Sequence, residues 1–187
     1  MAYLGRSAWR SRRRRDSSPR NVHVAAIRLR GMSTSHAAAV PRPRRNVNPG
    51  ADALVVVDFD RTLCSTRAGA DPTKGEGRKK PVADEALSEL LAATPAGRAV
   101  VLTRNSHREG IRAFLDARSL DHVVVRSAKR EGRSKADVLA ELLADPGQRA
   151  VFADDDVFEL VDAGVEELAK RGQLVRVLFC PGPAGLN

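Results

Sequence analysis

Between residues 53 and 179 the chain alternates short β-branched runs with stretches of helical periodicity. The runs are ALVVVDF (53–59), RAVVLT (98–103), HVVVR (122–126), RAVFA (149–153) and LVRVLF (174–179). The stretches between them are VADEALSELLAAT (82–94), SHREGIRAFLDARS (106–119), SKADVLAELLA (134–144) and DVFELVDAGVEELAKRG (156–172). Leu87, Leu90 and Leu91 share one helical face, as do Val138, Leu139, Leu142 and Leu143. Pro95-Ala96-Gly97 and Asp145-Pro146-Gly147 stop two of the helices. This alternation predicts an α/β domain: a parallel five-stranded sheet with helices on both faces.

Such a sheet binds ligands beyond the carboxyl ends of its strands. The residues there are Asp58-Phe59-Asp60, Thr103-Arg104-Asn105, Arg126 to Lys135, and Asp154-Asp155-Asp156. In LVVVDFDRTL an apolar strand runs directly into two carboxylates. At i and i+2, Asp58 and Asp60 lie on one side, roughly 6–7 Å apart at Cα, while Phe59 faces away into packing. Two such carboxylates raise each other's pKa unless a cation holds them. The Asp154–Asp156 cluster reaches the same crevice only if its strand lies beside the first. Converging carboxylate oxygens suit Mg²⁺, with Asp58, Asp60, Asp154 and Asp155 as candidate ligands and Asp156 as a helix N-cap. Three adjacent acids leave that register open. Lys135, behind the N-cap candidate Ser134, and Lys129 both stand near the mouth. Cys64 reads as a small packing residue, and the four His form no ligand spacing.

VVVDFDRTL resembles the DxDxT signature of the haloacid dehalogenase-like hydrolase superfamily. VVLTRN, GRSKADVL and AVFADDDVFEL resemble that family's second, third and fourth motifs, in order. The resemblance implies a three-layer, Rossmann-like fold and a Mg²⁺-dependent phosphatase. Asp58 would be the nucleophile, Asp60 the general acid and base, and Lys135 the charge-neutralising lysine. Thr103 would hold phosphoryl oxygens, with Arg104, Asn105 and Thr62 as further substrate contacts. Asp58, the main-chain carbonyl of Asp60, and Asp154 with Asp155 would hold the metal. The spacings leave no room for the family's cap domain. The loop CSTRAGADPTKGEGRKK (64–80) reads either as a solvated surface loop or as a basic flap that steers an anionic substrate. The alternative is a catalytically silent binding module of the same fold, taking a phosphorylated partner or nucleic acid.

The net charge of +9 is unevenly placed. Residues 1–50 hold twelve Arg, no Lys and one acid, Asp16, a balance of +11; residues 51–187 hold 20 basic and 22 acidic residues, a balance of −2. The Arg- and Ser-rich extension reads as a mitochondrial or plastid transit peptide without packed structure. A basic arm for nucleic acid, or a nuclear signal in RSRRRR, are its other readings. Translation from Met32 would give a shorter, cytosolic chain. The hydrolase domain is expected over 51–182 and a disordered tail over 183–187. Two Cys outside any CxxC pattern suggest a reducing compartment. No apolar run approaches the roughly 18 residues of a membrane span, so a soluble protein is expected. Oligomeric state is not legible.

Overall fold

The computed structural model describes residues 52–74 and 80–180. The expectations for the extension, Met32, the tail, and Gly75, Gly77, Arg78 and Lys79 of the loop lie outside the described residues.

Five parallel strands form one sheet: β1 (Leu54–Val57), β2 (Ala99–Thr103), β3 (Val124–Ser127), β4 (Ala150–Asp154) and β5 (Leu174–Leu178). Their order is β3-β2-β1-β4-β5. The chain therefore builds outward from β1 to β3, then returns so that β4 lies against the other side of β1. That reversal makes a crevice at the carboxyl ends of β1 and β4, the switch point at which open α/β sheets bind ligands. Val57 pairs with Ala153, which puts Asp58 level with Asp154.

The helices are α1 (Glu85–Ala93), α2 (Arg108–Asp116), α3 (Lys135–Leu142), α4 (Val157–Leu160) and α5 (Ala163–Lys170). Strand alternation sends Leu54, Val56, Val100, Leu102 and Phe152 into a core with α3, α4 and α5. It sends Val57, Ala99, Val101 and Val125 into a second core with α1 and α2. The expected three-layer, Rossmann-like arrangement is what the chain adopts. Each fully buried aliphatic or aromatic side chain in these cores contributes about 1.5–3 kcal/mol. Among the described residues, only α1 intervenes as a helix between Thr62 and Thr103, and only α2 and β3 between Thr103 and Lys135. No helix among them is long and apolar enough to cross a membrane.

The single helix expected over 156–172 is two helices. Asp162 accepts a hydrogen bond from the Gly164 amide at 2.8 Å and caps a fresh start, so α4 ends at Leu160. Gly164 lets α5 approach α3 closely, since a Cβ there would stand 2.9 Å from the Ala136 Cβ. Gly164→Ala is expected to cost about 1–3 kcal/mol through this overlap; urea unfolding with the midpoint unmoved would contradict the close approach.

Candidate active site

Lys135 organises the crevice. Ser134 caps α3 in a reciprocal box with Asp137, its hydroxyl accepting the Asp137 amide at 3.0 Å while the Asp137 carboxylate accepts the Ser134 amide at 3.0 Å. Lys135 thereby occupies the first helical position, facing the strand ends. Its Nζ donates to Asp58 Oδ1 at 2.6 Å and to Asp154 Oδ2 at 2.7 Å, with all three side chains almost wholly buried. The Phe152 ring lies 5.9 Å from the ammonium. Lys129, the competing lysine, is exposed on the crevice rim.

Asp58, Asp154 and Asp155 each offer a carboxylate oxygen within 4.8 Å of the others, a group able to hold a metal ion. Asp156 stands apart as the N-cap of α4, accepting the Phe158 amide at 2.9 Å. Asp154 Oδ1 accepts the Asp156 amide at 2.9 Å, which orients it toward Lys135 and Asp58. Burial pushes the Asp58 carboxyl up to about 7, with Asp154 adding to the effect and Lys135 opposing it. Burial likewise raises Asp154. For Lys135 burial works against the charge, but the two carboxylates override it and push the ammonium up to about 12. One ammonium therefore faces two buried carboxylates and a third at their edge. A divalent cation would neutralise that excess, and an all-oxygen donor set suits a hard ion.

No family model, curated protein or solved structure matches this chain. The reading of the site rests on its geometry.

Asp60 lines the same crevice, but its carboxylate lies outside the metal-binding group. Thr66 Oγ1 donates to it at 2.6 Å, the Gly69 amide at 2.8 Å and Asn105 Nδ2 at 3.1 and 3.2 Å. Thr66 and Gly69 come from the loop that follows and are residues the sequence reading missed; nothing in their spacing marks them. Gly69 reaches Asp60 from the left-handed region, at φ 77°.

Two of the expected substrate contacts hold other site residues in place. Asn105 is buried, with Nδ2 engaged by Asp60 and the Ala70 carbonyl (2.7 Å) and Oδ1 by the His107 amide (2.9 Å). These bonds hold the Asp60 carboxylate in place, and Asn105 also lines the crevice. Thr62 is fully buried and exchanges hydrogen bonds with Asp155, accepting its amide at 3.1 Å and donating to Oδ1 at 3.2 Å. It anchors the third carboxylate from behind. Thr103 lines the crevice, its hydroxyl accepting the Asn105 amide at 3.0 Å. Arg104 is exposed and pairs with Glu159 of α4 at 2.9 Å.

Phe59 packs edge-on against Phe114, with ring centroids 5.3 Å apart. This fixes the turn that carries both acids. Cys64 is buried too, and burial raises its thiol pKa. Of the basic loop residues, Lys74 pairs with Asp71 at 3.5 Å and neither it nor Lys80 lines the crevice. The segment from β3 to α3 is held from behind: Arg126 binds Glu131 and Glu141, and Arg133 also binds Glu141. The two guanidinium groups hold Glu141 down to about 2.

Asn105→Ala is expected to lower kcat about 10–100-fold with KM little changed, as losses of orienting partners commonly do. A rise in KM alone would return Asn105 to the substrate.

Proposed function

We propose that the chain is a divalent-metal-dependent phosphomonoester hydrolase that works through an aspartyl-phosphate on Asp58. The observation that carries this reading is the buried Lys135 bridge between Asp58 and Asp154, with Asp155 in the same carboxylate group. The resemblance of residues 53–180 to haloacid dehalogenase-like hydrolases supports it, and Mg²⁺ is the ion that reading implies. Asp58, Asp154 and Asp155 would hold the metal. When bound, it would offset charge on the phosphoryl group and keep Asp58 ionised.

Asp58 has a carboxylate oxygen at the crevice floor and a fixed ammonium beside it. That oxygen attacks phosphorus while the bond to the leaving oxygen breaks, and a proton from Asp60 passes to the departing alkoxide. Asp60, held by Thr66, Gly69 and Asn105, then takes a proton from water as that water's oxygen attacks the aspartyl-phosphate. The bond from phosphorus to Asp58 breaks, releasing orthophosphate and the free carboxylate. Lys135 counters negative charge through both steps without having to reorganise. Thr103, which lines the crevice, would hold phosphoryl oxygens.

The test is release of phosphate from an aryl phosphate by the full chain, with and without Mg²⁺. Turnover that requires Mg²⁺ supports the reading; Mg²⁺ binding without turnover of aryl, sugar or nucleotide phosphates would favour the silent binding module.

A further inference from the structure

The crevice is larger than its chemistry needs, about 900 Å³, the upper range of small-molecule sites, whereas a phosphoryl group fills only a fraction of it. What lines the remainder is unusual in being unused by the fold. Phe158 is 80% exposed, although Leu160, two residues on, is buried and anchors α4. Lys129 and Arg61 are exposed at the same crevice and make no ion pair among the described residues, unlike Arg104 and Arg133. Arg61 also holds a left-handed backbone, φ 63°, directly after Asp60. A non-glycine residue there is strained, and such strain collects at functional positions. An unpartnered aromatic face beside two unpaired cations matches a ligand that combines a flat ring with more than one negative charge. Aliphatic sugar phosphates supply the charge but no ring; an aryl phosphate supplies a ring but little further charge.

We propose that the crevice takes a nucleotide, its terminal phosphate over Asp58, its base stacked on Phe158 and its remaining charge met by Lys129 and Arg61. This rests on the hydrolase reading for the direction in which the phosphate points. Stacking of a base on an aromatic side chain contributes enough to shift affinity about tenfold or more.

The test uses the full chain carrying Asp58→Asn, to block turnover, with Mg²⁺ present. Calorimetry compares adenosine 3′,5′-bisphosphate with ribose 3,5-bisphosphate, which carries the same charge and no base. The nucleotide should bind about tenfold more tightly. Adding Phe158→Ala should erase that advantage, and Phe158→Trp should keep it. Arg61→Gly should weaken nucleotide binding several-fold without lowering the melting temperature, because glycine fits the left-handed backbone; a merely structural arginine would show the reverse. A 5′-phosphorylated oligonucleotide that outbinds its unphosphorylated twin identifies a polymer end as the source; otherwise the free nucleotide is the source. Equal affinity for the two small ligands, or an advantage that survives Phe158→Ala, overturns the proposal. Failure of the hydrolase reading looks different: the nucleotide advantage remains while the unmutated chain releases no phosphate.

Discussion

Lys135→Met should cost about 3–5 kcal/mol of stability in metal-free buffer near pH 8, the largest loss expected from any single change in the site. The substitution keeps the stem and removes the ammonium. Asp58 and Asp154 then face each other, both nearly buried, with the Lys135 contacts of 2.6 and 2.7 Å gone. Three further results follow from the same electrostatics. Adding Asp154→Asn should recover part of the loss, since one of the two repelling charges goes. Mg²⁺ should stabilise Lys135→Met more than it stabilises the parent chain, because the ion replaces the missing cation. The penalty should also shrink toward pH 5, where the carboxyls can take up protons. A metal-free melt of Lys135→Met matching the parent at pH 8 would mean that the three side chains do not share charge as their geometry requires.

Asp58→Asn should abolish turnover, by about 10⁴-fold or more in kcat, while leaving the fold intact or firmer. The loss follows because an amide is a poor nucleophile. The gain follows from burial: the Asp58 carboxyl is pushed up to about 7 by desolvation, so the ionised form is held against its preference. For a group raised in the folded state, the stabilising contribution is fully present below the unfolded value of 3.8 and is lost as pH rises through about 7. The parent chain without metal should therefore lose this contribution between about pH 4 and 7, and Asp58→Asn should not. By the same linkage, Mg²⁺ must displace the proton from Asp58, so its affinity should tighten as pH rises through about 7. Calorimetric titration at pH 6 and pH 8 reads this directly; equal affinity at both would remove Asp58 from the ligand set. Fully active Asp58→Asn would remove it from the chemistry.

The parts of the site that were legible in the sequence are those set by local rules. Ser134 as a cap with Lys135 in the first turn, and Asp156 as the cap of the next helix, each depend on neighbours a few residues away; Asp58 and Asp60 were expected at strand spacing, but β1 ends at Val57 and a turn carries both acids. The choice of Lys135 over Lys129 rested on that cap, and the structure puts Lys135 between the acids and Lys129 on the rim. Whether Asp58 and Asp154 would meet depended on strand order, which alternation alone does not dictate; the β1–β4 pairing supplies it. The supporting bonds of Thr62 and Asn105 were not legible for a related reason. Their partners, Asp155 and Asp60, lie 93 and 45 residues away, and only the closed sheet shows that both side chains are enclosed. Thr66 left no trace at all, because a hydroxyl in a Gly-rich loop has no periodicity to betray it. The break between α4 and α5 was obscured by an apolar pattern that runs through it; Asp162, the cap that starts α5, was the signal.

The central claim is that Asp58 carries the phosphoryl group between two half-reactions. The most direct measurement is acid quenching of the full chain during turnover of an aryl phosphate with Mg²⁺, followed by peptide mass spectrometry. The account predicts one phosphate added to the peptide that contains Asp58, labile to hydroxylamine and missing from Asp58→Asn. Sustained Mg²⁺-dependent turnover with that peptide unmodified, under conditions that slow the second step, would mean that water attacks phosphorus directly and that Asp58 serves only as a metal ligand.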